Sequence, residues 1–127
     1  MNPAERFAAA RVAHLATITP DGAPHLVPIV FALVGDVIHT VVDAKPKRHR
    51  NLQRLTNIAH DPRVSVLADH YDDEDWSRLW WVRADGIATV AGTLSPALVA
   101  RYPQYAARTP PGPFLRIEVT RWSSWQA

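Results

Sequence analysis

Pro28 sits inside an apolar run, His25 to Val34, that otherwise has the composition of a central β-strand. Proline has no backbone N–H to give to a sheet ladder, so this run belongs at a sheet edge or a bulge, and backbone groups beside it stay available for other partners. Turn signals bracket the run. Pro20-Asp21-Gly22-Ala23 precedes it and predicts a hairpin from the alternating segment His14 to Thr19. Gly35-Asp36 follows it and leads into Val37 to Val42, a β-branched run suited to a buried strand.

The remaining pattern extends this β-rich reading. Arg63 to Asp69 alternates Val64, Val66 and Ala68 against Arg63, Ser65 and Leu67, and Leu79 to Ala91 reads as a long strand with a bulge at Gly86. The two should pair across the acidic stretch Asp69 to Asp75. A last strand, Phe114 to Trp122, follows the breaker Pro110-Pro111-Gly112-Pro113. Three helices are expected: Pro3 to Val12 behind an Asn2 cap, Lys47 to Ala59 with Leu52, Leu55 and Ile58 on one face, and a Ser95-capped segment to about Ala107. Six strands with flanking helices predict a mainly β fold, a small closed or nearly closed antiparallel barrel.

At 127 residues and 47% hydrophobic content the chain suits one domain, residues 1–127, around one core. It has no cysteine, which removes disulfides, thiolate nucleophiles and sulfur-built metal sites. Redox chemistry would need a borrowed cofactor. The start, MNPAERFAAARV, interleaves charges with apolar residues, unlike a signal peptide, and no stretch reaches the length of a membrane span, so a cytoplasmic location and no membrane partner are expected.

Four of the six residues from Lys45 to Arg50 are Lys or Arg, placed where a strand-like run gives way to a helical pattern. A helix N-terminus carries the positive end of the backbone dipole, so each exposed cation there is opposed by roughly 0.3 to 1 kcal/mol. An anion would reverse that balance by meeting free N–H groups, the dipole and the side chains Lys45, Lys47, Arg48 and Arg50 together. A solvated basic loop is the alternative. The formal net charge is only +2 although the pI is near 9.4, and the basic segment contains no aromatic residue for base stacking. Nucleic acid is therefore not the expected partner.

Other chemistries lack their signatures. The six histidines show no H-x-x-x-H spacing, the acidic stretch lacks calcium-loop spacing, no serine stands in a G-x-S-x-G elbow, and the five glycines are scattered. Trp76, Trp80, Trp81, Trp122 and Trp125 can pack in a core or face an aromatic ligand or a subunit interface. A phosphate site with aromatic walls would suit a flat, phosphorylated heterocycle.

The phrase DAKPKRHRNLQRL ahead of DPRVSVLADHY, and the strand LWWVRADGIATVAG, resemble the pyridoxamine 5′-phosphate oxidase-like, flavin-binding split-barrel family, and within it the actinobacterial F420-dependent group. The resemblance spans nearly the whole chain. It implies a six-stranded antiparallel split β-barrel that dimerises with itself, with a flavin or deazaflavin at each interface. It also implies that Lys47, Arg48 and Arg50 hold the cofactor phosphate, with Lys45 and Arg54 as further contributors. Pro28, Ile29 and Val30, with Thr40 and Val41 from the next strand, would line the ring, while Asp69, Trp81 and Trp122 would come from the dimer partner. The implied reaction is hydride transfer to a small electrophilic substrate, with Tyr71, His70 or simply water as proton donor. FMN carries one phosphate whereas F420 adds a phospholactyl-glutamate tail, so five cations from Lys45 to Arg54 favour F420 over FMN. A flavin or F420 carrier or sensor without turnover is the non-enzymatic alternative. The chain shows no clear match to the substrate-phosphate residues of true pyridoxamine phosphate oxidases.

Overall fold

A computed structural model describes residues 1–42 and 49–127. Lys45, Lys47 and Arg48 therefore lie outside the described residues, and Arg50 is placed by its backbone alone. The chain opens with helix α1 (Pro3–Ala9), held by a reciprocal cap in which the Glu5 N–H donates to Asn2 Oδ1 at 2.8 Å and the Asn2 N–H to Glu5 Oε1 at 3.0 Å. It ends before the expected Val12: Ala10 is extended, and its N–H closes the last turn on the Phe7 carbonyl. Phe7 packs against Phe31 and Trp122, with ring centroids 4.8 and 5.2 Å away.

Seven strands follow: β1 (Ala13–Ile18), β2 (Pro24–Ile29), β3 (Phe31–Val34), β4 (Val37–Val41), β5 (Arg63–His70), β6 (Trp80–Ala91) and β7 (Phe114–Gln126). They form one antiparallel sheet in the order β2-β1-β5-β6-β7-β4-β3. Its two edge strands, β2 and β3, are consecutive in the chain and separated by Val30 alone. A sheet whose opposite edges are one residue apart must curl, and this one forms a half-barrel, a mainly β split-barrel fold with flanking helices. The expected count of six strands becomes seven because the run His25 to Val34 does not stay with one neighbour: Ile29 pairs with Ala13, whereas Phe31 pairs with Thr40.

Alternation sets the two faces. Leu15, Val66, Val82, Ala84 and Ile117 point into the barrel and are buried. Helix α2 (His49–His60) packs on β1 and β6, where buried Asn57 donates to Thr17 Oγ1 at 3.0 Å and accepts from Gln53 Nε2 at 2.7 Å. A second, smaller core of Ala32, Val41, Leu98 and Phe114 lies under helix α3 (Pro96–Arg101). The expected single late helix is two, because Pro103 has no N–H to continue α3 and instead starts the short α4 (Gln104–Ala107).

The bulge predicted at Gly86 is present as a register shift between Asp85 and Gly86 against β7. A Cβ at Gly86 would stand 2.3 Å from the Glu118 carbonyl oxygen, so the strands can approach only with glycine there. Beyond the bulge β7 runs on to Gln126, past the expected end at Trp122, because Trp80 to Arg83 supply it with a ladder partner.

Candidate functional site

The outward phase of β1, β5, β6 and β7 builds an open groove of about 730 Å³. Its walls are largely apolar, with Ala16, Leu26, Leu67, Trp81 and Trp125 on the sheet and Tyr71 and Leu79 from the β5–β6 connection. That size and lining are those of a small-molecule site. Polar atoms are few and convergent: His14, Ser65, Asp69, His70 and Arg83.

Chain register explains why these residues meet. Asp69 is the Cα partner of Trp81, and Leu67 that of Arg83, so two steps along adjacent strands place an acid, a base and an indole on one face. The connection between β5 and β6 is held by its own side chains. Asp72 Oδ1 accepts from the Glu74 and Asp75 N–H groups at 3.0 and 3.2 Å, and Asp75 Oδ1 accepts from the Ser77 N–H at 3.0 Å, capping a short 3-10 turn, Trp76–Arg78. The Ser77 hydroxyl, which also donates to Asp75 Oδ1, and then the Ser77 N–H pull the Asp75 carboxyl below the usual carboxylate range. The exposed Tyr71 and Trp76 rings stand 6.4 Å apart on this connection.

The residues expected at the site fall into separate places. Asp69, His70, Tyr71 and Trp81 come together in the groove. Pro28 is exposed on the same outward phase and pairs with His14, a groove residue. Ile29, Val30, Thr40 and Val41 gather instead at the β2–β3 break. There Thr40 is fully buried and donates to the Val30 carbonyl at 2.6 Å, while Val41 packs under α3. Trp122 points inward, against Phe7, and donates from Nε1 to Asp36 Oδ1 at 3.3 Å. Arg54 is buried, at 8% exposure.

Several groove residues escaped the sequence reading. His14 and Arg83 carry no motif, and Trp125, named only among five tryptophans with core, ligand and interface left open, lies past the expected end of the last strand. The available signal was phase: Arg121, Ser123 and Trp125 continue one alternation, as do Trp81, Arg83 and Asp85.

Three tryptophans, Trp80, Trp81 and Trp125, stand among the lining residues and give the groove flat aromatic surface. Helix α2 begins within the basic segment, at His49, and has no acidic residue in its first turn. A curled antiparallel half-barrel with such a groove defines a protein of the flavin-binding split-barrel type. The chain belongs to the pyridoxamine 5′-phosphate oxidase family, whose model matches residues 4–126.

A solved structure of a conserved hypothetical protein from Mycobacterium tuberculosis is similar at 27% identity, over 99% of this chain and 85% of that one, with a TM-score of 0.75. A FAD-binding protein from Mesorhizobium loti is similar at 21% identity, over 98% and 91%, also with a TM-score of 0.75. A heme storage protein from Vibrio cholerae follows at 13% identity, over 98% and 93%, with a TM-score of 0.72. At those identities the last two show the fold alone. No curated protein matches the chain.

Proposed function

We propose that this protein is a homodimeric, cytoplasmic oxidoreductase that binds a flavin-type cofactor, F420 in preference to FMN, and reduces a small electrophilic substrate. The observation that carries the reading is the aromatic-walled groove of about 730 Å³ on the outer face of β1, β5, β6 and β7. The cofactor, when bound, supplies the hydride. The chain positions and shields: Trp81 and Trp125 offer flat apolar walls, and Tyr71 and His70, both lining the groove, are the candidate proton donors.

Lys45, Lys47, Arg48 and Arg50, around the start of α2, would hold the cofactor's phosphate and further acidic groups, and they outnumber the charge of a single phosphate. This charge count supports F420 even without the buried Arg54. A second copy of the chain suits the outer face, where Leu26, Trp125 and Leu67 are 66%, 50% and 37% exposed. FMN is the second reading, favoured by the family match and by the FAD-binding protein among similar structures.

Side-by-side equilibrium titration with F420 and FMN, followed by turnover of the reduced cofactor with enones, nitroaromatics and quinones, tests the proposal. Tighter binding of F420 and substrate-dependent oxidation are expected. Binding of neither cofactor overturns the reading, FMN preference reverses the cofactor choice, and binding without turnover makes the protein a carrier or sensor.

A further inference from the structure

Among the described residues that line the groove, Arg83 is the one Lys or Arg, and it is braced from below. Its Nε lies 3.2 Å from Asp85 Oδ1, and its Nη2 donates to Ser123 Oγ at 3.5 Å. Asp85 is itself fixed: Ser65 Oγ donates to the same Oδ1 at 2.6 Å, and Thr120 Oγ1 donates to the Asp85 carbonyl at 3.1 Å. The fixing begins in the sequence. Gly86 permits the bulge, the bulge leaves Thr120 as an extra residue of β7 between the partners of Asp85 and Gly86, and Asp85 then draws the Arg83 Nε by charge alone, without a hydrogen bond. Among the described residues Nη1 makes no hydrogen bond, and Arg83 stands opposite Leu67 in the ladder and two residues from Trp81 on its own strand.

A guanidinium held in a fixed orientation on an apolar floor recognises a planar anionic group better than a mobile surface cation does, because little side-chain freedom remains to be lost. Asp85 offsets part of its charge. Asp69, on the neighbouring strand, has no ion pair with it and bounds the polar part of the groove on the other side.

We infer that Arg83 reads an anionic substituent on the molecule bound in the groove, so that the preferred substrate is a flat conjugated compound bearing a carboxylate or similar acidic oxygen group, with Asp85 and Ser65 as positioning residues. The inference rests on the groove being the ligand site of the proposed oxidoreductase.

Two fluorescent probes of similar shape separate charge from burial: anilinonaphthalene sulfonate, which is anionic, and phenylnaphthylamine, which is neutral. Both are titrated against the full chain at about 0.15 M salt, where long-range attraction is screened. The wild type should prefer the sulfonate. Arg83→Gln should weaken the sulfonate about tenfold and leave the neutral probe within about twofold, as expected for loss of a charge-assisted hydrogen bond. Ser65→Ala should lower the preference about threefold with unchanged neutral-probe binding, and Arg83→Lys should fail to restore the wild-type ratio. Equal loss of both probes in Arg83→Gln, an unchanged ratio, or no preference in the wild type would each overturn the inference. The same proteins titrated with F420 and FMN keep the two readings apart: loss of cofactor binding in the wild type defeats the oxidoreductase reading, while the probe ratio alone decides Arg83.

Discussion

The Thr40 hydroxyl donates to the Val30 carbonyl at 2.6 Å, from a position with no solvent exposure, and so fixes the single residue that joins the two edges of the sheet. Phe31, the next residue, is held from outside the barrel: the Tyr102 hydroxyl donates to its carbonyl at 3.1 Å, and Arg101 Nη1 donates to the same oxygen at 3.0 Å. The break between β2 and β3 is thus tied to β4 and to α3, and the curl of the sheet depends on those ties. Thr40→Val keeps shape and volume but leaves the Val30 carbonyl without this donor. It should destabilise the protein by about 1 to 3 kcal/mol, the usual consequence of an unsatisfied buried group. Urea unfolding should show a lower midpoint with an unchanged slope, and a wild-type midpoint would contradict the assignment.

Gly86→Ala should be more damaging than its size suggests. The new methyl group would meet backbone, the Glu118 carbonyl oxygen at 2.3 Å, which cannot rotate away as a side chain could. A loss of about 1 to 3 kcal/mol or more is expected from forced strand separation. Gly92→Ala is the control, since a Cβ there meets nothing within 4 Å, and it should stay within about 0.5 kcal/mol of wild type. Equal thermal midpoints for the two variants would show that β6 and β7 do not approach as described.

The bulge was legible because a lone glycine in a strongly alternating strand has few other uses, and the turns were legible from Pro20-Asp21-Gly22 and Gly35-Asp36. The break at Val30 was not. Apolar residues run through it on both sides, so period-two alternation gives no mark where one neighbour is exchanged for another. Ser123 to Gln126 were missed for a related reason: their strand state comes from pairing with Trp80 to Arg83, some forty residues earlier. The groove depends on such pairings throughout. Its floor combines β1, β5, β6 and β7, and only the sheet order brings His14, Arg83 and Trp125 to one surface.

Asp61 and Arg63 clasp the connection from α2 to β5. Asp61 Oδ2 accepts from Arg63 Nη2 at 2.7 Å, and Oδ1 accepts from Arg63 Nε and the Arg63 N–H at 3.0 and 3.1 Å. The side-chain bond, then the backbone bond, lowers the Asp61 carboxyl from its ordinary 3.8 to about 2. A depressed carboxylate stabilises the fold above its unfolded value, so this contribution is whole above about pH 4 and fades as pH falls toward 2. Carboxyl NMR titration should find the Asp61 midpoint near 2 in the wild type and back toward 3.8 in Arg63→Ala. An unmoved midpoint would mean that the clasp does not form in solution.

The proposed dimerisation through the groove face makes Leu26 a sensitive position. Its side chain is 66% exposed in the single chain and lies beside the apolar floor formed by Ala16 and Leu67. The wild type should sediment at twice 14.2 kDa. Leu26→Arg should bring two like charges into or near a symmetric contact and shift the protein to monomer without lowering its β content. A dimer that survives Leu26→Arg would place the interface on another face.

The basic segment offers the most direct test of cofactor choice. Lys47→Ala combined with Arg48→Ala removes two of the four cations between Lys45 and Arg50 and leaves every contact described for the barrel in place. Each charge-assisted hydrogen bond to a phosphate is worth about 1.5 to 3 kcal/mol, so losing two should weaken cofactor binding about a hundredfold or more. Longer and more anionic, F420 would keep Lys45 and Arg50 as partners for its tail, and its residual binding should fall steeply with added salt. FMN, with one phosphate to place, should lose nearly all affinity. Wild-type affinity for both cofactors in the double variant would remove the phosphate from the start of α2 and with it the charge argument for F420.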